Sequence, residues 1–229
     1  MHQASLTTQT NYMDPSTLRM VMGASAAGSI ALPSFIGSAK SQTGGVSSSL
    51  TINKPTGTVE NDLMVMIIAS TSTITWTQVA GWTEIFDVGG LVAAYKVAGA
   101  SEAASYTPSA TSVANHSGII VTYRNAAYDA AGSPSGLTSG STQIASAINL
   151  SQSNSTLLAF FTSRTISSGT YSSPTSGLGV VDADSDGVAP SWALYSQNNV
   201  ASGTTGSKTA IASFTPSDPL SVLIGIKPG

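Results

Sequence analysis

Residues 63–69 read Leu-Met-Val-Met-Ile-Ile-Ala, and residues 157–161 read Leu-Leu-Ala-Phe-Phe. Each run is too short for an ordinary helix and has no polar position for a wet face, so each predicts a strand covered on both sides. Working outward, similar landmarks follow both runs in the same order. After the first come a glycine corner at Gly81-Trp82-Thr83-Glu84-Ile85, then Leu91-Val92-Ala93-Ala94-Tyr95, then Gly118-Ile119-Ile120-Val121. After the second come Gly177-Leu178-Gly179-Val180-Val181, Ser191-Trp192-Ala193-Leu194-Tyr195 and Leu220-Ser221-Val222-Leu223-Ile224. Leu63 and Leu157 lie 94 positions apart, Gly81 and Gly177 96, Tyr95 and Tyr195 100, and Ile119 and Val222 103. The spacing grows as it would for one strand order written twice with longer loops in the second copy.

The reading that follows is an all-β body, residues 47–229, built as a single antiparallel β-sandwich from two similar strand sets closing face to face. The loop-rich middle, Asn125 to Ser141, is read as a connection inside that body, because five strands per half cannot cover runs that are apolar on both faces. Thr73 to Val79 alternates Ile74, Trp76 and Gln78 against Thr75, Thr77 and Val79, and Gly89-Gly90 marks a hairpin turn.

Composition limits the function. Only 8% of the 229 residues are charged, against about 25% in ordinary soluble proteins. The polar exterior must come from Ser, Thr, Asn, Gln and Gly, which suits dense packing against copies or other subunits because little charge has to be desolvated. A net charge of −3 with eight basic residues excludes a nucleic-acid partner. Cysteine is absent, so there are no disulfides or thiol–metal sites.

Residues 1–46 read differently, as an extended arm. Asp14-Pro15-Ser16-Thr17-Leu18-Arg19-Met20-Val21-Met22-Gly23 predicts a short helix, capped by Asp14, entered through Pro15 and closed by Gly23. Leu18, Val21 and Met22 share one face of it, and two turns cannot persist without a partner. Ile30, Leu32, Phe35 and Ile36 continue an apolar strip through Gly, Ala and Ser. Arg19 followed by Val21 to Leu32 fits a signal peptide only loosely, since the preceding region is long and the core is poor in Leu, Ile and Val. A membrane span needs about 20 mainly apolar residues, and Arg19 with the Gly/Ser content argues against one. The arm is expected to dock into an assembly, through Leu18, Val21, Met22, Ile30, Leu32, Phe35 and Ile36; the other reading is an arm wrapped on its own domain.

The phrases INKPTGTVENDLMVMIIAS, AGWTEI, LVAAYKVAGASEAASYT and GIIVTYRNA, with SGLGVVDADSDG, SWALYSQ and GTTGSKTAIASF in the second half, resemble a β-sandwich domain that recurs in structural proteins of tailed bacteriophages. The resemblance covers roughly Ser47 to Lys227. The opening MDPSTLRMVMGASAAG is similar to the N-terminus of phage tail-fibre and appendage proteins. The resemblance implies a jelly-roll type of sandwich, a leading arm that attaches the module to other virion proteins, and assembly in the bacterial host cytoplasm. It points to a tail fibre or appendage, built as a homotrimer and facing a host surface glycan. A capsid decoration protein with an embracing arm is the alternative. A carbohydrate-binding module and a hydrolase are the readings from other classes.

Catalytic chemistry finds little support. The histidines are His2 and His116, and no Gly-x-Ser-x-Gly elbow occurs, so a nucleophile has no evident base and no enzyme is expected. His116 is expected at a loop or strand edge. Gly23-Ala24-Ser25-Ala26-Ala27-Gly28 lacks the lysine of a phosphate loop. Asp182-Ala183-Asp184-Ser185-Asp186-Gly187 matches the start of a calcium loop, with Ala193 where the bidentate acid should stand. An acidic turn with no metal and no cofactor is the expectation. Trp82 and Trp192 read as core, and Trp76, among threonines, as the exposed aromatic for a glycan contact.

Overall fold

In the computed structural model, the run at residues 63–69 is a central strand whose side chains are all buried. The structure describes residues 30–136, 138–166, 168–172 and 175–229, with the backbone alone at 139 and 165. The helix expected at 14–23, with Leu18, Val21 and Met22, lies outside the described residues.

In the first half the strands are β1 Ser34–Gln42, β2 Ser47–Ser49, β3 Ile52–Asn53, β4 Leu63–Ser70, β5 Trp76–Thr77, β6 Thr83–Val88, β7 Leu91–Val97, β8 Ser105–Tyr106, β9 Ser109–Ala114 and β10 His116–Arg124. In the second they are β11 Ala126–Ala131, β12 Thr138–Ser139, β13 Thr142–Ala145, β14 Asn149–Leu150, β15 Ser155–Ile166, β16 Tyr171–Ser172, β17 Gly179–Asp184, β18 Pro190–Val200, β19 Gly203–Thr204, β20 Lys208–Ala212 and β21 Pro219–Pro228. All pairings are antiparallel, and no helix occurs among the described residues. The chain is all-β, with several antiparallel sheets.

The duplication extends to sheet order. One five-stranded sheet runs β1-β10-β4-β7-β6, the other β11-β21-β15-β18-β17. The smaller sheets repeat as well: β2-β9-β5 corresponds to β13-β20-β16, to which β12 is added, and β3-β8 to β14-β19. Irregularities recur at matching places. Ile36 and Asp129 bulge in the first strand of each half, 93 positions apart, and Ile85 and Val181 in β6 and β17, 96 apart. Asn61 and Asn154, again 93 apart, both adopt positive φ before the central strand. Cross-strand partners then equate Val65 with Leu158, Tyr95 with Ser196, and Ile119 with Val222, at spacings of 93, 101 and 103. Spacings of 96 and 103 were legible in the sequence, whereas 94 and 100 each slip by one residue. Along a strand, one residue is the difference between opposite faces.

Alternation separates the cores. Val65, Ile67, Leu91, Ala93, Ile119 and Val121 point toward Leu158, Phe160, Trp192, Leu194, Val222 and Ile224 of the other large sheet, in one shared cluster. Met64, Met66, Ile68, Val92 and Ile120 point the other way, against Ile52, Trp76 and Tyr106 of the small sheets and the adjoining Leu50 and Ile74. Leu157, Ala159, Phe161, Tyr195 and Leu223 do the same in the second half, against Ala145, Leu150 and Ala210. A single pair of sheets covers one face of each. The outer faces of these runs are covered by the additional small sheets.

The boundary of the body also moves. β1 pairs along its length with β10, so Phe35 and Ile36, read as arm, are residues of an edge strand. Chain contacts divide the molecule at Ile30/Ala31 rather than at residue 46.

Candidate functional site

β1 and β17 are edge strands of the two large sheets, and their inward-facing residues meet. Ser38, Lys40 and Gln42 lie on the face of β1 that pairs beside Val121, Ile119 and Ser117, toward the shared core. Opposite them stand Asp182 and Asp184 of β17, with Asp186 just beyond its end. Lys40 Nζ lies 3.1 Å from Asp182 Oδ1 and donates to the Ala183 carbonyl at 2.6 Å. Ser38 Oγ donates to Asp182 at 3.4 Å, Ser117 Oγ to Asp184, and the Gln42 amide to Asp186. The hydrogen bond from Gln42 holds the Asp186 carboxyl below its ordinary range. Trp192 Nε1 donates to Ser117 Oγ at 2.7 Å, which ties this polar seam to the shared core. A shallow groove lined by Lys40, Gln42, Asp184 and Asp186 opens along it.

At the other flank the two sheets meet differently, through Tyr95 of β7 and Tyr128 of β11. Tyr95 and Tyr128 stack at 4.7 Å with an interplanar angle of 11°, and Ile85, Phe86 and Ala131 pack against the shared cluster. One seam is apolar and the other is built of charges and amides.

The calcium reading of 182–187 falls on this seam. Each acidic residue takes its own partner on β1 or β10: Lys40 and Ser38 for Asp182, Ser117 for Asp184 and Gln42 for Asp186. No three His, Cys, Asp or Glu side chains converge as a metal set among the described residues. Lys40 is 46% exposed, so its ion pair contributes at most about 1 kcal/mol. Neither calcium nor a chelator should shift the melting temperature, as followed by circular dichroism. A rise of several degrees on adding calcium would mean that the folded state binds it.

The other sequence-derived residues are scattered. Ile30 and Leu32 precede β1 and are exposed, and Phe35 packs edge-on against Tyr123 at 5.5 Å. Trp76, expected to be exposed for a glycan, is buried: it packs with Ile74 and lies 4.7 Å from the His116 ring. The two-residue alternation that places Ile74 inward places Trp76 inward too, and an indole enclosed there cannot stack on a sugar. Trp82 and Trp192 are core residues, as expected.

His116 is the fully buried first residue of β10 rather than a loop or edge residue. Its Nδ1 and the Ser70 hydroxyl are 2.9 Å apart, and its Nε2 lies 2.8 Å from the Ser47 carbonyl oxygen. Burial lowers its pKa, while the bond to Ser47 acts in the opposite direction. No carboxylate completes this pair among its hydrogen bonds, and it serves to pin β2 onto the large sheet.

Two further ionic groups escaped the sequence reading. Burial alone would raise Asp62, but Arg124, donating at 2.9 and 3.0 Å, and the Val59 amide hold its carboxyl below the usual range. Glu102 behaves the same way, with burial outweighed by hydrogen bonds from Gly99, Lys96 and Tyr106. Both join residues distant in sequence or across a loop, and neither carries a motif. No known family, no curated protein and no solved structure matches this chain.

Proposed function

We propose that this chain is a non-enzymatic structural component of a tailed-bacteriophage virion, a tail fibre or appendage protein attached through residues 1–30. On this reading the body is a sandwich of jelly-roll type built from its two strand sets, the assembly is a homotrimer among other virion proteins, and it faces a host surface. Support comes from the resemblance of the quoted phrases and from an exterior made largely of uncharged hydroxyl side chains. The structural observation that carries it is the placement of the body's ends. Ser34 pairs with Arg124, and the Gly229 amide donates to the Asn125 carbonyl at 3.0 Å, so the folded body is entered and left at one pole. A body held at one pole presents the opposite loops outward.

Deletion of residues 1–30 tests the reading. The deletion has to stop there, because removing 1–46 would also take β1 and expose β10. The shortened protein should keep its melting temperature within a few degrees, yet fail to enter particles assembled in its presence. Normal occupancy in those particles, counted by quantitative gel analysis, would remove the attachment role.

A further inference from the structure

At the pole away from Ser34 and Gly229, the β6–β7 turn of the first half meets the start of β21 of the second. A Cβ placed on Gly89 would lie 3.4 Å from Leu220 Cδ1. Beside this contact is a recess of about 280 Å³, lined by Gly89, Gly136, Arg164, Asp218, Pro219 and Leu220. Its walls are fixed. Ser163 Oγ donates to the Ser217 carbonyl at 2.8 Å and accepts the Ser217 amide at 3.1 Å. Ser135 and Ser221 exchange backbone hydrogen bonds of 3.0 and 2.9 Å, which holds the loop that carries Gly136. A Cβ on Gly136 would approach the Pro219 carbonyl oxygen to 3.0 Å, so a side chain there would crowd this wall.

Arg164 and Asp218 line the same recess without forming an ion pair. The Arg164 Nε is buried without a hydrogen-bond partner, and the side chain forms no ion pair among the described residues. Arg124, by contrast, is held by both oxygens of Asp62. A guanidinium presents its terminal donors as a planar fork that matches a carboxylate. Asp218, on the same recess, offers the opposite chemistry: a carboxylate that accepts hydroxyl protons and repels a bare anion. A ligand that satisfies both walls carries one carboxylate and neighbouring hydroxyls, and the volume holds one ring.

We propose that this recess binds the carboxylate of an acidic sugar, with Arg164 donating its terminal N–H groups to it and Asp218 accepting a ring hydroxyl. The two halves each supply part of the wall, so the site exists only in the complete body. The inference stands apart from the virion reading and does not need it.

The test is a titration of the full ¹⁵N-labelled chain with glucuronate, followed by amide shifts, with glucose and inorganic phosphate as controls. Glucuronate should move the amides of Gly89, Gly136 and Leu220, and glucose should bind about tenfold more weakly because it lacks the carboxylate. Arg164→Leu should abolish the shifts with the rest of the spectrum unchanged. Arg164→Lys should weaken them about tenfold, since an ammonium keeps the charge and loses the fork. Asp218→Asn should weaken glucuronate and leave phosphate no weaker. No movement at these amides, or binding that survives Arg164→Leu, overturns the proposal. Phosphate binding as tight as glucuronate would make this a plain anion site and overturn the assignment to a sugar.

Discussion

Trp192→Ala should lower the unfolding free energy by about 3–5 kcal/mol, the largest effect expected of any single substitution here. Trp192 is fully buried in the shared core, stacks on Phe160 at 5.5 Å, and donates its indole N–H across to Ser117 of the other large sheet. Truncation leaves a cavity between two sheets whose backbones are held by their own ladders and cannot collapse onto it. It also leaves Ser117 without its donor. For a chain of this size such a loss corresponds to a fall in Tm of about 10 °C. Trp192→Phe keeps most of the volume and removes the hydrogen bond, at a cost of about 1–2 kcal/mol. Urea denaturation of the three proteins separates the contributions. A loss under about 1 kcal/mol for the alanine variant would show that the layer can repack.

Severing the repeat should have the second large effect. Residues 31–124 alone expose Leu63, Val65, Ile67, Leu91, Ile119, Val121 and Tyr123, each worth about 1.5–3 kcal/mol when buried. That half should be aggregated or molten, with no sharp thermal transition. Its self-association is a poor substitute. Its inner face is largely Val, Ile, Leu and Ala, and the face it normally meets supplies Phe160 and Trp192. Two copies of the first half would leave voids where those rings belong. Coexpression of 31–124 with 125–229 should give a soluble one-to-one complex with a single cooperative transition. A monomeric, sharply melting first half would show that its outer core alone suffices.

The strand order was legible because apolar runs without a polar position predict strands buried on both faces, and two such runs with matching landmarks predict a repeat. Register within the runs was not. In Leu-Leu-Ala-Phe-Phe every residue is apolar, so shifting the alignment by one exchanges one buried face for the other and leaves the pattern unchanged. The positive-φ Asn61 and Asn154 and the bulges at Ile36 and Asp129, each pair 93 apart, mark it, and a bulge has no residue signature of its own. The small outer sheets were faint because strands such as Ile52–Asn53 and Trp76–Thr77 are too short for a period to emerge. Trp76 was misplaced by giving its threonine neighbours more weight than its alternation with Ile74. The polar seam was half visible. Asp182, Asp184 and Asp186 stood out, but Ser38, Lys40 and Gln42 alternate within a stretch read as an arm, and only the topology brings the two together. Arg164 and its recess draw on segments from both halves, which no local pattern reveals.

The bulges have another consequence. All four edge strands of the large sheets carry one: Ile36 in β1, Ile85 in β6, Asp129 in β11 and Val181 in β17. An edge strand offers a row of unpaired amides and carbonyls to any neighbouring chain, and a chain with so few charges has little long-range repulsion to keep neighbours away. A bulge twists the edge and breaks the regular spacing that a second strand would need. Lys40 and Asp182, pointing inward from two of these edges, would be left unpaired and dehydrated if a foreign strand displaced them. The protein can therefore be crowded at high local concentration, many copies side by side, without its sheets growing into one another.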